Sequence, residues 1–180
     1  MLETYTTALS AVNVGSLKRK EALAFWINAY NAFTIKKIVD NYPLKSITDL
    51  DGGKPWDAKW IKLDGRTLSL NNIENDIIRP KYNEPRIHFA VNCAAKSCPP
   101  LLNKAWTPAN LESNFNKQTK AFVNSSLNEI SADKVTISKI FEWYAKDFGD
   151  LIPYLNKYAS VNISSGAEIA YKEYDWSLNN

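Results

Sequence analysis

Two cysteines, one histidine and one methionine in 180 residues leave this chain poor in sulfur and almost without imidazole. So few cysteines exclude the several-disulfide framework of a small secreted scaffold. They also argue against zinc: a structural site wants four Cys or His ligands, the chain owns three, and even with carboxylates added the cysteines lack C-x-x-C spacing. No metal and no cofactor is therefore read from the sequence. Long apolar runs are missing as well. None reaches the ~18 residues of a membrane span, and Met1-Leu2-Glu3-Thr4 has neither the charged nor the apolar region of a signal peptide. Charge of one sign is equally scarce, because the net +3 is spread through mixed segments such as Lys18-Arg19-Lys20-Glu21. The basic footprint of a nucleic-acid binder is absent. At 45% hydrophobic and 23% charged residues the composition is that of a folded domain, not a disordered one.

What is present reads as alternating helices and short strands. Leu2 to Val12 is predicted as a short helix, followed by a break at Asn13-Val14-Gly15-Ser16. Lys18 to about Tyr42 is the strongest helix, with Leu23, Trp26, Ile27, Tyr30 and Phe33 at helical spacing and Pro43 as its stop. Trp60 to Leu63 and Arg66 to Leu70 flank Asp64-Gly65, a pair that accepts positive φ and so predicts a hairpin. Ser69 can cap a helix from about Leu70 to Arg79, ended by Pro80. Ile87 to Asn92 is a compact apolar run suited to an interior strand. Thr107-Pro108 opens a helix reaching about Val123. Val135 to Ile137 is a strand, Ser138 to Phe148 a helix stopped by Gly149, Leu151 to Ala159 another helix, and Ile169 to Trp176 a last strand. With no repeat and no linker, the expectation over residues 1–180 is one α+β domain, several helices on a small, largely antiparallel sheet.

The chemistry concentrates in RIHFAVNCAAKSCPP, residues 86–100, which holds the single histidine and both cysteines. Three readings compete: a thiol active site, a metal site, and a disulfide that staples a loop. On a regular strand His88 and Cys93 would lie ~16 Å apart on opposite faces, so a dyad requires the chain to turn first. A cysteine nucleophile needs an imidazole, a cation or a helix N-terminus to become a thiolate, and His88 or Lys96 could serve. Two cysteines closing a short loop are equally suited to a staple, or to small buried hydrophobes.

Other candidates flank this segment. FWINAYNAF, residues 25–33, sets Asn28 and Asn31 on one helix face among aromatics. Buried amides must be hydrogen-bonded, so they either tie the helix to neighbouring loops or, with Trp26, line a pocket as an amide clamp. Glu74 is the natural carboxylate to orient His88 in a triad, Asp175 a weaker alternative, and Arg79 a further binding candidate; a solvated helix charge is the competing reading for each. The aromatic tail from Tyr174 is expected to pack down.

Together FWINAYNAF, SLNNIENDIIRPKY, RIHFAVNCAAKSCPPL, SKIFEWYAKDFG and YDWSLN make the chain resemble the DUF547 family, a domain of unknown function, from about Glu21 to Asn179. The family pattern falls on Trp26, Asn28, Tyr30, Asn31, Glu74, Arg79, His88, Cys93, Ser97, Cys98 and Pro99. One position departs: many relatives read Glu-His where this chain has Glu74-Asn75, so a mechanism needing a second imidazole is not expected here. The resemblance implies export, to the periplasm or beyond, with a signal peptide absent from this chain, and export in turn implies a Cys93–Cys98 disulfide. It implies no activity. Two functions are therefore expected as alternatives. One is a cysteine-dependent hydrolase or acyltransferase using a thiol of Cys93 or Cys98, His88 as base and Glu74 as orienter. The other is a non-catalytic exported binding or scaffold module with a disulfide-shaped loop and an aromatic-Asn groove for a small molecule or peptide.

Overall fold

The computed structural model describes residues 1–179. Its centre is the long helix α2 (Arg19–Asp40), preceded by α1 (Leu2–Ser10). The Glu21 carboxylate accepts the Lys18 backbone N–H at 2.8 Å and so starts α2. Nearly all of α2 from Ala22 to Thr34 is buried, because α1, the hairpin and the following helical segment cover it from several sides. The hairpin is as the sequence suggests. Strands β1 (Ile61–Leu63) and β2 (Arg66–Leu68) pair antiparallel across Asp64 and Gly65, whose φ values are 53° and 70°, the left-handed geometry of a two-residue turn.

Beyond it the chain departs from expectation in an instructive way. Residues Asn72–Ile78 wind as a π-helix, in which the Arg79 N–H reaches the Glu74 carbonyl five residues back. Helix α3 (Arg79–Tyr82) follows directly, with Pro80 inside its first turn instead of ending the run. The Arg79 N–H closes the last wide turn five residues back, and Pro80 sits where that turn gives way to α3. The expected interior strand at Ile87–Asn92 is not formed: Pro85–Phe89 is a 3₁₀ turn, opened by Glu84 accepting the Arg86 N–H at 3.1 Å. Pro85 fixes its own φ near the helical value, and a short apolar run does not by itself distinguish a strand from a buried turn.

Helix α4 (Leu111–Val123) begins later than Thr107-Pro108 suggests, because the Thr107 N–H and Asn110 Oδ1 first close a separate turn at 2.8 Å. Strands β3 (Glu129–Ile130) and β4 (Lys134–Ile137) pair antiparallel, and β5 (Glu168–Tyr171) joins β4 in parallel, giving a mixed second sheet. The helix expected over Ser138–Phe148 is broken into α5 (Ile140–Trp143) and α6 (Ala145–Phe148) at Tyr144, before α7 (Leu151–Asn156). The tail past β5 is no longer strand. It returns across the molecule to bridge Ser46 through Ser177 and Ala95 through Leu178.

These parts form an α+β domain with two apolar clusters. One gathers α1, α2, the hairpin, residues 73–82 and the start of α4; the other gathers Phe89, the end of α4, the second sheet and α5 to α7. Glu74 comes from the side of the first cluster, while Tyr144 and Asp147 come from the second. His88 stands between them. No helix among the described residues is long and apolar enough to cross a membrane.

Candidate functional site

Because residues 85–89 coil instead of extending, His88 and the two cysteines reach the same place. His88 is 3% exposed and pinned on both edges of its ring. Its Nε2 lies 2.8 Å from Asp147 Oδ2, and its Nδ1 lies 3.6 Å from Glu74 Oε1. The second separation is too long for a closed hydrogen bond, and Nδ1 has no hydrogen-bond partner. The Tyr144 ring stacks on the imidazole at a centroid distance of 3.8 Å, and Phe148 packs against it at 5.5 Å. The break between α5 and α6 is what presents Tyr144 and Asp147 to the same ring.

The carboxylates are held in their charged forms. Burial by itself would raise Glu74, but His88 and the hydroxyls of Tyr144 and Tyr30 outweigh it and hold the group below its ordinary value. Asp147 is held far below the usual range by its hydrogen bond to His88, against some desolvation, and by Arg79. Arg79 reaches Asp147 with two donors, Nε at 2.6 Å and Nη2 at 2.8 Å, while its Nη1 donates to Asn75 Oδ1 at 2.8 Å. Asn75 thus caps the guanidinium. Tyr30 and Tyr144 are both raised, first by burial and then by the Glu74 charge, so both remain protonated donors.

Cys93 and Cys98 are bonded to each other, with Cα atoms 6.2 Å apart. The intervening loop turns tightly, as the Cys98 N–H to Ala95 carbonyl bond of 3.0 Å and the φ of 64° at Ala94 record. The tail holds this loop from outside. Lys96 N–H donates to the Ser177 carbonyl at 2.8 Å, Asp175 N–H donates to Ser97 Oγ at 2.9 Å, and the Tyr174 hydroxyl lies 3.2 Å from Cys93 Sγ and 3.4 Å from Cys98 Sγ. Asp175 does not orient His88; its carboxylate is turned to Ser177.

Together these groups enclose a pocket of about 200 Å³. Trp56, Trp143, Tyr174 and Trp176 form its aromatic wall, the disulfide and Pro99 another side, and Tyr30, Glu74 and His88 its buried end. The wall is continuous, since Trp143, Tyr174 and Trp176 contact one another at 4.6 to 5.7 Å and Trp56 meets Trp176 at 5.2 Å.

The structure therefore gathers Glu74, His88, Cys93 and Cys98 around one pocket, and places the remaining candidates elsewhere. Trp26 is 1% exposed, packed in the core against Phe25. Asn28 clamps the Trp106 backbone, donating to its carbonyl at 2.8 Å and accepting its N–H at 2.9 Å. Asn31 does the same for the turn after His88, donating to the Ala90 carbonyl at 2.9 Å and accepting the Asn92 N–H at 2.8 Å. Both amides are fully used within the protein, and from FWINAYNAF it is Tyr30 that lines the pocket. Arg79 acts through Asp147 and Asn75 and does not line it. The residues that sequence reasoning passed over are Asp147, Tyr144 and the aromatic wall. Apart from Trp56, their signal was in SKIFEWYAKDFG and YDWSLN, where aromatics and acids recur at short intervals.

Fold and site define a small α+β domain built around a disulfide-bounded aromatic pocket with a carboxylate-flanked histidine. A family model described as "Protein of unknown function, DUF547" matches residues 14–123, and the chain belongs to that family. The match covers Glu74, His88 and both cysteines; Trp143, Tyr144, Asp147 and the tail lie beyond it. No curated protein and no solved structure is significantly similar to the chain.

Proposed function

We propose that this domain is an exported binding module whose pocket takes a small molecule or a short peptide end. The observation that carries the reading is the bond between Cys93 and Cys98, which leaves neither sulfur as a nucleophile and makes the pair a side of the pocket. A persistent disulfide fits an oxidising compartment, the periplasm or outside the cell. A concave, largely aromatic site with a few converging polar groups is the usual form of a small-ligand pocket. His88 contributes in this reading by holding Glu74 ionised at the buried end, not by moving protons.

A second reading keeps one observation in its favour: Cys93, Cys98, His88 and Glu74 all line the same pocket. Reduction would release two thiols beside an imidazole, the arrangement of a cysteine-dependent hydrolase or acyltransferase. The two readings separate by titrating the unreduced protein with a set of small metabolites and following tryptophan fluorescence. A saturable change that is lost in Trp176→Ala supports the binding module. Absence of any response from the unreduced protein, with hydrolysis of activated esters appearing only after reduction, would replace it by the enzyme.

A further inference from the structure

We infer that the pocket recognises a small organic cation carrying a methylated ammonium group, with the aromatic wall as its cage and Glu74 as its counter-charge. The inference rests on the binding reading above and names the ligand class. Four observations carry it. The lining includes no lysine or arginine, and its one carboxylate is Glu74, 4% exposed, with His88 Nδ1 3.6 Å from it on the inner side. The nearest guanidinium, Arg79, is occupied by Asp147 and Asn75. Three indoles and the Tyr174 ring line the same space, while Tyr144 is already covered by the stacked His88 and by the Arg79 guanidinium 4.9 Å from its ring centre; the face of an aromatic ring attracts a cation most strongly where water is excluded.

The fourth observation is that most of the pocket's hydrogen-bonding groups are already turned to protein partners, His88 Nδ1 being the exception. The hydroxyls of Tyr30 and Tyr144 lie near Glu74 and help hold it charged, the hydroxyl of Tyr174 faces the two sulfurs, and the Asn71 amide donates to Asp57 at 2.7 Å while accepting from Asn75 at 3.0 Å. A saccharide, which presents many hydroxyls, would leave most of them unpaired here, and an anion would meet Glu74. A methylated ammonium needs no hydrogen bonds. It asks for π faces and a negative charge, which are what remain. The volume of about 200 Å³ lies below the ~300 Å³ at which drug-sized sites begin, which limits the ligand to a compact head group.

The test uses the unreduced protein and two matched probes, choline and its neutral isostere 3,3-dimethyl-1-butanol, with acetate and cellobiose as further arms, read by tryptophan fluorescence and calorimetry. Choline is expected to saturate the site and to bind at least about tenfold more tightly than the isostere, because the two differ in charge and hardly in shape. Trp143→Ala and Trp176→Ala, both at the pocket mouth, are expected to lose this preference while keeping the circular dichroism of the parent. Equal binding of choline and isostere would overturn the cation inference and leave an apolar pocket. Binding of acetate or cellobiose without choline would overturn it while leaving the binding reading intact. No response to any arm would remove both. The charged and neutral probes are compared on the unmodified protein, so the result does not depend on any variant folding.

Discussion

His88 faces two carboxylates at once, the partly exposed Asp147 across a 2.8 Å hydrogen bond and the buried Glu74 at 3.6 Å. Removing the imidazole leaves the buried Glu74 carboxylate without its neighbour, while Asp147 keeps Arg79, so His88→Ala should cost about 3 kcal/mol in urea unfolding. Both carboxylates sit below their ordinary values of 4.5 and 3.8 in the fold, so the unfolded chain binds more protons in acid. The stability they supply is complete above those ordinary values and is lost as pH falls through them toward the folded values. Thermal melts should therefore hold level from neutral pH down to about pH 5 and fall below it, and Asp147→Asn should flatten part of that fall. Asn28→Ala and Asn31→Ala should each cost about 1 to 3 kcal/mol in the same urea assay, since each orphans a buried backbone donor and acceptor. At this scale the sequence was readable where chemistry is local. Glu74 beside His88 followed from residue types, whereas Asp147, 59 residues from His88, depended on a helix break that no motif announces.

At the scale of elements, two irregularities make the site. Winding residues 72–78 as a π-helix carries Glu74 to the buried end of the pocket, and coiling residues 85–89 brings His88 back toward the cysteine loop. Neither was legible, because a seven-residue apolar pattern fits a helix of either pitch and a short apolar run fits a strand or a turn. The hairpin at Asp64-Gly65 and the span of α2 were legible, since positive-φ turn chemistry and a sustained 3.6-residue period each admit one local answer. The cysteine loop is held twice, by its disulfide and by the returning tail. Replacing both cysteines by serine should then cost only about 2 kcal/mol, the chain-entropy value for so small a ring, as read by urea midpoints. Truncation after Glu173 should be more damaging to ligand binding than to secondary structure. It removes Tyr174 and Trp176 from the pocket and the bonds from Asp175 and Ser177 to the loop. Paired fluorescence titration and far-ultraviolet circular dichroism would show the split.

For the whole molecule, the site lies on the seam between two apolar clusters, so a ligand seated there touches both and should raise their common unfolding temperature. The central claim is that the histidine and cysteine segment builds one side of a disulfide-bounded pocket and not a free-thiol active site. Its most direct test is a count of thiols: protein prepared in an oxidising compartment, denatured without reductant, alkylated with iodoacetamide and weighed by mass spectrometry. The account expects an unmodified mass, with two alkyl groups added only after reduction. Two alkyl groups on the unreduced protein would contradict it and put a cysteine nucleophile beside His88 at the centre of the function.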